Sequence, residues 1–185
     1  MKKYDIAIIG GGILGTTISY WISNLYDSSV CVIDKEPGVA KHTSGRNTGV
    51  VHTPFYLDPE KKKIFAKSAH ISHDLWKTLA IQTKSPWMEI GTIEVAVDEL
   101  QHKTLEKYQK WGIENGVNED SLLILDSNEL KQKEKNLECY SGLLCKNDVS
   151  TDYSKLTQEI KNISTQNSTE FIFQKTVKSF QQKND

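Results

Sequence analysis

An α/β fold built around a parallel sheet is what this 185-residue sequence predicts, and three observations carry the prediction. The run "YDIAIIG" (residues 4–10) is short, apolar and rich in Ile, as suits a buried parallel strand. It ends in Gly10-Gly11-Gly12-Ile13-Leu14-Gly15, from which an apolar pattern continues at helical spacing. A second strand-like run, "SVCVIDKE" (residues 29–36), follows and ends in acidic residues. Strand, glycine turn, helix and strand in this order make one parallel unit.

Each part of the unit has a physical reason. The helical pattern runs through Ile13, Leu14, Ile18, Trp21, Ile22 and Leu25 and stops at "YDSS". Gly10 to Gly15 spell G-x-G-x-x-G. Gly10 permits the tight turn, Gly12 lets backbone approach a pyrophosphate, and Gly15 lets the helix pack closely on the strand. The free N–H groups at the helix start, Ile13 and Leu14 included, attract phosphate with the helix dipole behind them. Asp34 follows at about the 20-residue distance at which an acid reaches the ribose hydroxyls. A carboxylate there repels a ribose phosphate and disfavours NADP; the unit alone does not separate FAD from NAD.

Composition excludes several partners. Lys plus Arg number 23 against 24 Asp plus Glu, a net charge of −1, which predicts neither nucleic acid nor an anionic membrane as partner. The "MKK" start and apolar run resemble a signal peptide only superficially, because Asp5 and three glycines interrupt the run. No apolar stretch is long enough for a transmembrane span. Cys31, Cys139 and Cys145 show no metal-ligand spacing and read as free structural thiols in a reducing compartment. A cytoplasmic protein is the expectation.

The loop "HTSGRNTGVVHTP" (residues 42–54) follows and is rich in groups that can meet a ligand. From Asp34 to Tyr56 the chain resembles the FAD-dependent oxidoreductases of the D-amino-acid oxidase type. Within them it is most similar to the L-2-hydroxyglutarate dehydrogenase/oxidase group. The matching residues are Asp34, Lys35 and Glu36, then Gly45, Arg46, Asn47, Thr48, Gly49, Val50, Val51 and His52, and Tyr56. Asp34 stands where the group usually has glutamate, Pro54 where it has glycine, and Leu57 where a second tyrosine is common.

The resemblance implies FAD as cofactor and a Rossmann-like FAD/NAD(P)-binding fold with part of a mixed-sheet substrate-binding domain. The implied organisation is an FAD-binding segment over 1–82, a partial substrate-binding segment over 83–148, and a return to the FAD-binding domain over 149–185. Asp34 and Lys35 then belong to the cofactor site, as do the loop residues Ser44, Arg46, Asn47 and Thr48, which offer donors to phosphate or ring atoms. Gly49 allows backbone approach to the flavin. His52 becomes a candidate base or substrate-positioning donor. The residues by themselves also admit Arg46 as the partner of a surface carboxylate and His52 as a satisfied loop residue.

The remaining elements follow in order. Asp58, Pro59 and Glu60 suit the start of a helix whose buried face would be Phe65, Ala69, Ser72, Leu75, Trp76 and Leu79, with Lys61, Lys62 and Lys63 solvated. His70 and His73 lie three apart on that helix, but no third ligand accompanies them and no metal is predicted. "PWMEIGTIEVAVDEL" switches to strand period with Ile90, Ile93, Val95 and Val97. Gly91 to Ala96 resemble the strand that opens the family's substrate sheet. An amphipathic helix ending at glycine follows, then a strand and short helix in "SLLILDSNELKQKE". Asp152 suits a helix cap, residues 161–169 a loop, and "TEFIFQKTVKSFQQKND" a strand, a turn and a second short run.

The implied activity is hydride removal from the CH–OH carbon of a small 2-hydroxy acid such as L-2-hydroxyglutarate, with FAD as acceptor. Amine oxidation by a related flavoenzyme, or a non-catalytic truncated nucleotide-binding remnant, are the alternatives. The electron acceptor that reoxidises the flavin is not indicated. Family members are much longer, so a C-terminal half is the expected missing partner.

Overall fold

The structure is a computed structural model and describes residues 2–182. Its strands and helices are, in chain order, β1 (Ile6–Ile9), α1 (Ile13–Leu25), β2 (Val30–Ile33), β3 (Val50–Val51), α2 (Lys63–Gln82), β4 (Thr92–Ala96) and α3 (Glu99–Glu114). Then come β5 (Leu122–Asp126), α4 (Ser127–Lys133), β6 (Ser141–Cys145), β7 (Val149–Ser150), α5 (Tyr153–Gln166) and β8 (Glu170–Ile172). They fall into two compact units, the first Met1–Gly49 with Asp152–Asp185 and the second Val50–Thr151. The expected division at 82 and 148 differs because α2 belongs to the second unit. Among the described residues no helix is long and apolar enough to cross a membrane.

The first unit is a three-stranded parallel sheet in the order β1-β2-β8. Ile6 pairs with Val30 and Ile9 with Ile33, so the glycine turn and Asp34 emerge at the same end of the sheet, where the strands' carboxyl ends lie. The central strand is the driest: Val30, Cys31 and Val32 are essentially inaccessible, and burying a Val side chain contributes about 1.5–3 kcal/mol. Gly15 permits the close packing of α1, since a Cβ there would run into the Gly10 carbonyl and lie 3.2 Å from Ile8 Cγ2.

Helix α1 buries an unexpected face. Thr16 and Ser19 are its buried residues, and the Ser19 hydroxyl reaches buried Ser164 of α5 at 3.4 Å. The apolar stripe Leu14, Ile18, Trp21 and Leu25 is exposed instead, Leu14 to 78%. Small hydroxyl side chains let α1 and α5 approach closely, and Ser19 and Ser164 are satisfied by their own hydrogen bonds to Thr16 O and Ile160 O.

Helix α5 corrects another expectation. Asp152 caps it, accepting from Lys155 N at 2.9 Å, but the helix continues to Gln166 through most of the stretch expected to be loop. Ser164 and Thr165 bond back to the carbonyls of Ile160 and Lys161, so their hydroxyls accompany the helix rather than break it. After β8, the second run expected near the C-terminus is not a strand over residues 176–180; its last residues, 183–185, lie outside the described residues.

The second unit holds the antiparallel sheet β4-β6-β5 and the small pair β3-β7. Thr92 pairs with Cys145 on β6, and Leu122 of β5 pairs with the same Cys145. Phe55, Ala96, Leu105, Val117, Leu122, Leu143 and Cys145 form the core, with Tyr108 packed against it. The structure adds caps for α3 and α4 beyond those expected from the sequence: Asp98 accepts from Gln101 N at 2.8 Å, and Asp126 with Glu129 forms a capping box. Asp58 caps a turn ahead of α2, accepting from Glu60 N and Lys61 N, while the helix itself begins at Lys63. Its buried residues are Ala66, Leu79 and Ala80, whereas Phe65 and Leu75 of the expected face are 64% and 42% exposed.

Candidate functional site

In the first unit the glycine turn lies between β1 and the start of α1. Gly10 has φ +105°, a conformation that favours glycine, and its N–H donates to Ile33 O at 2.9 Å across the sheet. Gly12 is the N-cap of α1 and has no side chain to cap it, so the first-turn N–H groups depend on partners from elsewhere. One such partner is Ser44, whose Oγ accepts from Ile13 N at 3.0 Å. A Cβ on Gly12 would sit 3.0 Å from that same oxygen, so the surface beside the helix start is free of side-chain bulk only because Gly12 is glycine.

Asp34 stands directly after β2 and ties the turn together. Its Oδ2 accepts from Gly11 N at 2.5 Å and its Oδ1 from Glu36 N at 2.8 Å. Each carboxylate oxygen has a second lone pair, so hydroxyl donors of a sugar can still be accepted. Ile9, Gly10, Ile33, Asp34, Lys35 and His42 line a cleft of about 310 Å³, together with residues 175–177. Lys175 donates its N–H to Asp34 O at 3.0 Å, which brings the chain after β8 to this cleft. Lys35 is largely exposed, 4.0 Å from Glu36. These groups fit a dinucleotide: donors and a dipole for phosphate, a carboxylate for ribose, and a glycine surface between them.

The loop residues take different roles. Asn47, expected to offer a donor, uses its amide inside the loop, giving Nδ2–H to Thr43 O and Ser44 O at 3.1 Å and accepting Gly49 N–H at 2.8 Å. Gly49 has φ +74°, the left-handed conformation that this Asn47 bond closes on. Ser44 serves α1 as described, and its hydroxyl proton remains a donor. Arg46 and Thr48 are exposed. His42 meets Glu36 at 2.7 Å.

In the second unit His52 follows β3, its side chain 40% exposed. Its Nδ1 lies 2.7 Å from Oδ2 of Asp148, which is fully buried. Oδ1 of Asp148 accepts from Thr53 N at 2.7 Å and Thr53 Oγ1 at 2.9 Å, and Oδ2 also accepts from Thr92 Oγ1 at 2.7 Å. The Asp148 hydrogen bond raises His52 above its ordinary value and outweighs the opposing effect of burial. Burial alone would push the Asp148 carboxyl up; the bonds from His52, Thr53 and Thr92 carry it below the ordinary carboxylate range. The ring of Tyr56 stands edge-on to His52 at 5.7 Å, and burial followed by the Asp148 charge raises its hydroxyl. Burial pushes the nearby Cys145 thiol up to about 11, so it stays protonated and can donate.

Asp148, Thr53, Thr92 and Lys175 have no signal of their own in the sequence. Asp148 reads as an ordinary turn residue in "KNDVS", 96 positions from His52. Pro54, a departure from the family pattern, is buried and opens the short 3₁₀ turn Pro54–Tyr56, where a fixed φ is favourable. Its carbonyl accepts from Asn115 Nδ2 at 2.9 Å.

Known proteins agree with this architecture. The chain is 32% identical over 146 residues to glycerol 3-phosphate oxidase of Mycoplasma pneumoniae, covering 77% of this chain and 37% of that protein. It is 28% identical over 158 residues to the mitochondrial L-2-hydroxyglutarate dehydrogenase of Pongo abelii, covering 84% of this chain and 36% of the relative. Among solved structures, dithionite-reduced L-α-glycerophosphate oxidase from Mycoplasma pneumoniae with FAD bound superposes with a TM-score of 0.82 at 27% identity, over 94% of this chain and 45% of that one. The chain therefore spans less than half the length of the relatives it matches. Residues 5–185 match the family described as FAD dependent oxidoreductase (DAO), and the chain belongs to that family.

Proposed function

We propose that this chain is the N-terminal portion of an FAD-dependent oxidoreductase that oxidises the CH–OH carbon of a small hydroxy acid. The observation that carries this reading is the state of His52: one ring nitrogen is fixed by Asp148, and the ring is accessible enough to meet a small molecule. An ionised carboxylate only accepts, so Nδ1 carries the proton and Nε2 carries the lone pair.

The first unit would hold the cofactor. The Gly10–Gly15 turn and the start of α1 would take the pyrophosphate, Asp34 the ribose hydroxyls, and Ser44, Arg46, Thr48 and Lys35 supply further donors and positive charge. Bound FAD supplies the acceptor for the hydride that leaves the substrate carbon with its bonding pair. His52 Nε2 takes the hydroxyl proton, so the C–O bond becomes a carbonyl with atoms and electrons balanced.

Two of the relatives bear on the substrate class. One is named for a 2-hydroxy acid and the other for a phosphorylated hydroxy compound; both are small anions carrying an alcohol. L-2-Hydroxyglutarate is the leading candidate and glycerol 3-phosphate the second. Anaerobic mixing of the FAD-loaded protein with each compound, and with glycine as an amine donor, tests the assignment through loss of flavin absorbance. Bleaching by a hydroxy compound and not by glycine is expected. Bleaching by glycine alone, or by none of the three, would overturn it.

A further inference from the structure

We infer that Asp148 is the positioning residue of this site, fixing at once the place, the tautomer and the charge response of His52. The inference rests on the reading of His52 as base, and deepens it. One fully buried carboxylate holds the His52 ring through Oδ2 and the backbone of the next residue, Thr53, through Oδ1. The ring and the peptide that carries it are therefore held by the same group.

The two oxygens are not equivalent. Oδ1 faces three donors, Thr53 N–H, Thr53 O–H and the Cys145 thiol at 3.3 Å. Oδ2 faces the imidazole and the hydroxyl of Thr92, which can rotate to donate or accept. When Nε2 takes a proton, the new cation lies beside a carboxylate that has no solvent around it, and Asp148 stabilises it without taking the proton itself. The other charged or titratable groups toward His52 are Glu94 of β4, which adds a small effect of the same sign, and the phenol of Tyr56. Cys145 reaches it only through Thr53 and Asp148.

This arrangement makes Asp148→Asn informative beyond a loss of charge. The three donors around Oδ1 hold the amide oxygen of the variant at that position. The amide NH₂ then faces the imidazole, Nδ1 must accept, and the proton moves to Nε2. The variant therefore inverts the tautomer and removes the lone pair that would take the substrate proton.

The test is ¹⁵N NMR of the histidine ring in the 185-residue chain, titrated with pH. The wild type is expected to show the Nδ1–H tautomer and a midpoint above that of an ordinary histidine. Asp148→Asn is expected to show Nε2–H and a lower midpoint. An unchanged tautomer and midpoint in the variant would overturn the inference. If Asp148→Asn does not fold, Thr92→Val takes its place: stripping a competing donor from Oδ2 is expected to raise the His52 midpoint, and an unchanged or lower midpoint contradicts the inference. A second arm measures flavin reduction in the FAD-loaded protein. Asp148→Asn is expected to slow it by on the order of 10²–10⁴-fold, the size of a general-base contribution, with a smaller change in KM. His52→Ala separates the two claims: unimpaired reduction in that variant sinks the reading of His52 as base, while the NMR result on Asp148 stands on its own.

Discussion

Replacing Gly15 by alanine puts a methyl group where the structure has none to spare. The added Cβ would run into the Gly10 carbonyl oxygen and lie 3.2 Å from both the Gly10 carbonyl carbon and Ile8 Cγ2. Two of these atoms are backbone, so no rotamer change relieves the contact, and α1 must move off β1. Overpacking of this kind costs about 1–3 kcal/mol and more where backbone has to shift. Helix propensity acts in the other direction, because alanine is better than glycine by about 1 kcal/mol within a helix. The clash wins, for a net loss of roughly 2 kcal/mol. Amide hydrogen exchange at β2 reads the first unit alone, and a loss of that size lowers protection there by about 30-fold, since each 1.4 kcal/mol is tenfold. Gly12→Ala is the contrast: its Cβ meets the Ser44 hydroxyl oxygen at 3.0 Å and no backbone, so it costs at most the Ile13 N–H bond to that oxygen, about 0.5–1.5 kcal/mol, and a smaller loss of protection is expected. Unchanged or increased protection in Gly15→Ala would refute the close-approach reasoning, because propensity would then have decided the outcome.

The remaining predictions concern other parts of the molecule. His52 is raised by Asp148, so its contribution to stability is fully present below the ordinary histidine value and is lost as pH rises through its folded value. Urea midpoints of wild type and His52→Gln, compared from about pH 5 to about pH 9, should converge toward the alkaline end; a gap that widens there contradicts the assignment. The exposed stripe on α1 predicts that Leu14→Lys with Ile18→Lys changes stability by no more than about 0.5 kcal/mol per site while lowering binding of an apolar dye such as ANS. A large destabilisation would mean that the stripe is covered in solution.

Sequence pattern reaches the β1–α1–β2 segment of the first unit, because each of its signals is local. The glycine turn, the Ile-rich strand and the acid after β2 act within short segments, and β1, β2 and the start of α1 stand where those segments put them. The cap at Asp152 is also local and falls where its residue type places it, while those at Asp98 and Asp126 were not among the expected caps although their signal is of the same kind. Burial is a tertiary property, and there the pattern misleads. On α1 the apolar stripe looks like a core face, yet the packed face is Thr16 and Ser19, since α5 offers Ser164 opposite them. On α2 Leu79 of the expected stripe is buried, with Ala66 and Ala80 beside it, while Phe65 and Leu75 lie outside. The candidate site divides in the same way: His52 is marked by its glycine-rich loop, while Asp148 becomes visible only when β3 pairs with β7 and brings residues 96 apart together. Asn47 shows the converse, a residue with suitable chemistry whose amide the loop itself uses.

The central claim is that the Gly10–Gly15 turn and Asp34 form an FAD site, and titration of FAD into the chain, followed by flavin fluorescence, tests it most directly. A saturable change is predicted, without competition from NADP, and Asp34→Ala should weaken it about tenfold or more, as expected for hydrogen bonds to a charged group worth about 1.5–3 kcal/mol. No saturable change, or binding by Asp34→Ala equal to that of the wild type, would contradict it.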